Sequence, residues 1–226
     1  LSGDPKAIIE SLDRFHGLSL TATLSQIERA VRGVTADDCG TFLQSANVNG
    51  ELWAAAAEMK RLAGQINVVI HAAGILLCLP RILEPGERVE SVSLGAGNTG
   101  RHFDLETNLR VAEFKFIRWR GHDTIRQNSV FKDFFALAEH ATPKRKFLYL
   151  LGTEHAMKFM KSRRSISSVM SGGVKMNAAF AERFGDRYRT VGDYYAAHSS
   201  TVAIQDVSPW LSGGIEELVA DDEAAE

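Results

Sequence analysis

At Pro85-Gly86 the hydrophobic period of this chain changes, and that change limits its architecture more than any other feature. Downstream, Arg88-Val89-Glu90-Ser91-Val92-Ser93-Leu94 alternates apolar and polar residues, as a half-buried strand does. Gly95-Ala96-Gly97-Asn98-Thr99-Gly100 then supplies turn chemistry. Two further short strands are expected over Arg101 to Thr107 and Arg110 to Trp119, separated by Asn108 and its neighbours, so the three form an antiparallel meander. Upstream the spacing is helical. Ile8, Ile9, Leu12 and Phe15, then Leu24, Ile27 and Val31, predict two short helices broken near Gly17. Glu51 to Leu62, rich in helix formers, opens a long helix or helix pair leading into the apolar run Val68 to Leu79, closed by Pro80, Pro85 and Gly86. After the meander, a helix is expected over Val130 to Ala138, a strand over Lys146 to Leu151, and helices over Glu154 to Arg164 and Val174 to Phe184.

A length of 226 residues predicts one elaborated domain over 1–226. With 45% hydrophobic and 24% charged residues, disordered, collagen-like and coiled-coil classes are excluded. Cys39 and Cys78 are too few for a disulfide framework or a structural zinc site, and no secretory leader pattern opens the chain, so a reducing, cytoplasmic setting is expected. The apolar stretch from Ile66 to Leu83 is interrupted by Asn67, His71, Gly74, Pro80 and Arg81, which predicts a buried core helix and no membrane partner. Charge is unevenly distributed. The net charge is −2, yet Arg110 to Arg164 holds 13 Lys and Arg against 5 Asp and Glu, a local +8. Such a segment suits a polyanion, or else a solvated face.

Two nucleotide-binding patterns fail on context. Gly95 to Gly100 satisfies GxGxxG, but a dinucleotide loop must open a helix, whereas Arg101-His102-Phe103-Asp104-Leu105 alternates like a strand. Val68-Val69-Ile70-His71-Ala72-Ala73-Gly74 resembles an internal dehydrogenase segment but has no glycine-rich loop before it within residues 1–40. The histidines follow no metal-ligand spacing, and no GxSxG elbow supports a Ser-His-Asp set.

The chemistry-bearing stretch runs from Phe103 to Ile117. Alternation puts Glu113 and Lys115 on one face with Val111 and Ile117, and Ala112, Phe114 and Phe116 on the other, so a charged pair interrupts an apolar strand. A tight hairpin near Thr107-Asn108 brings Asp104 close to Glu113 across the ladder. Two carboxylates ~4 Å apart repel by about 4 kcal/mol at an effective dielectric of ~20, so a positive group is expected between them. Lys115 supplies part of that charge. Hard oxygens on one point also suit Mg²⁺ (or Mn²⁺), which commonly takes one or two carboxylates with water and substrate phosphate.

Asp104, eight residues, then Glu113-Phe114-Lys115, set among these elements, resembles the PD-(D/E)XK nuclease superfamily, with Phe103 where the motif has Pro. The resemblance covers roughly residues 51–151 and implies an α/β, restriction-endonuclease-like α-β-β-β-α-β core. Its central sheet is mixed, with helical additions over 1–50 and 152–226. It implies a metal-dependent endonuclease, a phosphodiester hydrolase acting on DNA in preference to RNA. The alternative is a catalytically weak or inactive nucleic-acid-binding or scaffold protein of the same fold. Asp104 and Glu113 would bind metal, with Glu58 (or Glu51 as substitute) adding a helix acid. Lys115 would assist the water, and Gln127 would occupy the early position of the following helix. Arg118, Arg120, Arg126, Lys144, Arg145 and Lys146 are the expected phosphate clamps, followed by Lys158, Lys161, Arg163 and Arg164, with Trp119 as a base-stacking residue. The family also implies a homodimer or a larger defence or repair assembly.

Overall fold

The structure is a computed structural model that describes residues 4–95, 102–117, 123–170, 180, 182–185 and 187–211. Its contacts divide the chain into two compact units, 1–67 and 68–226, where the sequence pattern pointed to one domain with a core over 51–151.

The first unit is helical. Helices α1 (Pro5–His16), α2 (Leu20–Ala30) and α3 (Cys39–Ser45) precede the start of α4 (Gly50–Ile82). Asp4 caps α1 by accepting the Lys6 N–H at 3.0 Å, with Pro5 in the first turn where its missing N–H costs nothing. Gly17 ends α1 at φ 61°, a left-handed conformation that glycine adopts without a Cβ clash, so the expected break falls there. Pro80 lies inside the last turn of α4, and the helix runs two residues past it to Ile82.

In the second unit the rest of α4 leads into a five-stranded mixed sheet. Its strands are β1 (Val89–Val92), β2 (Leu105–Thr107), β3 (Arg110–Lys115), β4 (Arg145–Leu150) and β5 (Val202–Asp206), in spatial order β1-β2-β3-β4-β5. β1, β2 and β3 pair antiparallel, β4 runs parallel to β3, and β5 parallel to β4. Helix α5 (Thr124–Glu139) connects β3 to β4; α6 (Glu154–Met160), α7 (Ile166–Met170) and α8 (Val191–His198) lie between β4 and β5. The sequence pattern anticipated the meander, α5 and β4. It missed β5, and its helix over 174–184 lies mostly outside the described residues.

Each sheet face buries its own cluster. Val111, Leu148, Leu150 and Val202 pack with Val130, Phe131, Phe134 and Leu137 of α5. On the other face Leu105, Ala112, Phe114 and Tyr149 pack with Ile75, Cys78 and Ile82 of α4. Gly74 is required at that contact, since a Cβ there would lie 2.6 Å from the Phe116 ring. The opposite side of α4 is open: Val69 is 63% and Leu77 61% exposed. Among the described residues α4 is long and apolar enough to cross a membrane by length and composition, and in this fold its core-facing stripe covers the sheet.

The β2–β3 turn is locked by a buried network. Arg110 Nε donates to Glu87 Oε1 at 2.5 Å and Nη2 to Oε2 at 2.6 Å, while Nη1 meets the Tyr149 hydroxyl at 3.0 Å. Thr107 donates to Glu87 at 2.6 Å and accepts the Arg110 N–H at 2.9 Å. Burial alone would raise the Glu87 pKa, but the Arg110 and Thr107 hydrogen bonds carry it down to about 2.

Candidate active site

The antiparallel register pairs Leu105 with Ala112, and one step further along it stands Asp104 against Glu113. Asp104 Oδ2 accepts the Phe114 backbone N–H at 2.9 Å, and Oδ1 lies 3.3 Å from His71 Nε2 of α4. The two carboxyl groups interact directly, each shifting the other's ionisation. Burial, then the negative charges of Asp104 and Asp133, push Glu113 up to about 9, which favours its neutral form. Burial would raise Asp104 too, but hydrogen bonds from His71, Phe114 and Glu113 bring it below the usual carboxylate value.

Lys115 is two residues along β3 on the same face as Glu113. Its Nζ sits 2.8 Å from Asp133 Oδ2 of α5. Burial works against its charge, yet Asp133, Glu113 and Asp104 together hold its pKa above the ordinary lysine value. Asp133 is itself raised, chiefly by burial. The site therefore holds three acids against one lysine in a half-buried setting, a charge balance that favours a bound proton or a cation.

Two of these residues were not anticipated, although the sequence carried a signal for both. His71 lies on the stripe with Ile75, Cys78 and Ile82, and Asp133 lies beside Phe134 and between Val130 and Leu137, all core positions. A titratable residue at a core-facing helical position needs a buried partner. Reading helical spacing for ionisable residues would have found both.

The remaining expected residues have other partners. Glu58 belongs to the first unit, where it binds Arg61 at 2.8 and 2.5 Å; the side chain that α4 brings to Asp104 is His71. Glu51 is exposed in the first turn of α4, also in the first unit. Gln127 is buried and accepts a hydrogen bond from Arg164. Arg126 pairs with Asp123 at 2.7 Å. Lys144 binds Glu90 at 2.6 Å and Glu106 at 2.7 Å, Arg145 binds Glu84 at 2.7 Å, and Lys146 donates to the Ala138 carbonyl at 2.9 Å. The Lys144-Arg145-Lys146 run also sits at the wrong end of the sheet. Arg145 pairs with Arg110, and Lys115 pairs with Leu150, so five residues of strand, about 17 Å, separate the run from Lys115. Their ion pairs hold the base of the sheet. Arg118, Trp119 and Arg120 lie outside the described residues.

Among the described residues no group of three or more His, Cys, Asp or Glu side chains is arranged to hold a metal ion. The donor set on offer is the Asp104–Glu113 pair, two hard carboxyl groups. That fits an ion that completes its shell with water and phosphate, as Mg²⁺ does, and would not fit a fully enclosed zinc site. Comparison with known proteins adds no relative: no family model, no curated protein and no solved structure matches the chain.

Proposed function

We propose that this protein is a metal-dependent nuclease of restriction-endonuclease-like fold that hydrolyses phosphodiester bonds, in DNA rather than RNA. One observation carries the reading. Asp104 stands opposite Glu113 on the neighbouring strand, and Lys115, two residues further along β3 and paired to Asp133 at 2.8 Å, sets an ammonium group beside them. The order helix, three antiparallel strands, helix, parallel strand is that of the superfamily's core and supports the same reading.

Asp104 and Glu113 would hold Mg²⁺ or Mn²⁺. A divalent ion there supplies an acidified water and neutralises phosphate charge. His71 and the Phe114 N–H orient Asp104, leaving its carboxylate little freedom to turn. Lys115, steadied by Asp133, directs positive charge at phosphodiester oxygens and can orient the water.

Plasmid and single-stranded oligonucleotides incubated with Mg²⁺ or Mn²⁺ test this reading, repeated with EDTA and with Asp104→Ala and Lys115→Ala. Cleavage is expected with metal, none with EDTA, and losses of about 100-fold or more in each variant. Equal cleavage by wild type and both variants would exclude the assignment. Binding without cleavage would favour the scaffold alternative.

A further inference from the structure

A cavity of about 380 Å³ opens beside Lys115, among the C-terminal ends of β3, β4 and β5. In open sheets with parallel strands, the crevice outside the carboxyl ends of those strands is where ligands bind. Resting on the nuclease reading above, we propose that this cavity receives one unstacked nucleoside of the substrate strand, so that the enzyme acts on single-stranded segments or frayed ends in preference to intact duplex.

The register sets the dimensions. Lys115 pairs with Leu150, and Leu150 with Asp206, so the three stand in one row across three parallel strands. Two strand spacings separate Lys115 from Asp206, about 10 Å, which is the span of one nucleotide from phosphate to base edge. Charge divides along the same row. Asp206 and Glu154, which also line the cavity, repel a phosphate, whereas the lysine end would attract one once Asp104 and Glu113 hold a divalent ion, so the phosphate belongs at the lysine end.

The acidic end suits a base, because a carboxylate accepts from an exocyclic amine as it does from cytosine N4. Asp206 is fixed for that role: its Oδ1 accepts the backbone N–H groups of Gly152 at 3.0 Å and Ser208 at 2.8 Å, and the Ser208 hydroxyl. Between the two ends, Val130 and Leu150 offer apolar surface and His155 an aromatic ring, the surroundings in which a base face is held. The volume is at the small end for ligand pockets, enough for one base. A base inside it has left its stack, and unstacking is least costly where the strand is already single.

Thr153 lines the cavity at the N-cap of α6 but makes no side-chain cap bond, so Thr153→Trp fills the space without uncapping the helix. Cleavage of a labelled oligodeoxynucleotide with Mg²⁺, single-stranded and annealed as a blunt duplex, is the primary measurement, with circular dichroism confirming the variant's fold. Wild type should cut the single strand about tenfold faster or more, and Thr153→Trp should raise KM for it about tenfold. Equal rates on both substrates, or wild-type KM in the folded variant, would overturn the proposal. If wild type cuts neither substrate, the nuclease reading fails, and NMR titration with an uncharged nucleoside judges the pocket. Shifts at Gly152 and His155 that vanish in Thr153→Trp support it, and their absence in wild type refutes it.

Discussion

At the scale of single residues, the informative groups are those whose ionisation departs from the ordinary. Without metal, folded Glu113 holds its proton up to about pH 9, while in the unfolded chain it loses it near 4.5. Between those limits the folded state binds more protons, so its contribution to stability is present at low pH and lost as pH rises. Glu113→Gln should flatten that fall, leaving the variant at least as stable as wild type at the alkaline end of the window in EDTA. Thermal melts across the pH range check this, and a steeper fall in the variant would contradict it. Glu87 has the opposite sign. Its pKa is lowered from 4.5 to about 2, so its stabilisation is complete above 4.5 and is lost as pH falls towards 2. Glu87→Gln leaves the buried Arg110 only the half-exposed Glu84, 3.4 Å away, as a charge partner and should cost about 3 kcal/mol at neutral pH in urea titrations, with the difference shrinking in acid.

At the scale of elements, α4 and α5 bring groups to the site that the strands alone do not hold. His71 reaches Asp104 only if α4 lies close on the sheet, and Gly74 permits that approach. Gly74→Ala should cost about 1–3 kcal/mol, because a methyl group meets the Phe116 ring. Adding Phe116→Leu should recover part of the loss, a coupling visible in a double-mutant cycle of unfolding free energies. Simple additivity would mean that the two residues do not meet. The alternation around Glu113 and Lys115 was legible because period two is a local property. Asp104 against Glu113 followed from a short hairpin. The partners on α4 and α5 were not legible in that way, since a helical position names a face and not what lies across from it. The Lys144-Arg145-Lys146 run illustrates the converse: it is adjacent in sequence to the strand beside the site, and strand direction carries it to the far end.

At the scale of the whole molecule, the folded state should be linked to divalent metal. An ion that binds the native carboxylate pair and not the unfolded chain stabilises by about 2.7 kcal/mol at 100 times its dissociation constant. Mg²⁺ should therefore raise the Tm of the wild type and leave Glu113→Gln largely unmoved; an equal rise in both would place the ion elsewhere. The basic window shows how far composition reaches. Its local charge of +8 is a property of the chain, but Lys144 and Arg145 are bound to Glu84, Glu90 and Glu106, acids that lie outside that window. Sequence alone determined the change of period, the meander, the helix and strand that follow, and the acid, acid, lysine set, because these depend on neighbours a few residues apart. Tertiary structure decided that β5 extends the sheet, that His71 and Asp133 join the site, and which lysines are already neutralised. Those outcomes rest on which distant side chains share one low-dielectric space, and burial sets the strength of each charge only after the chain has closed around it.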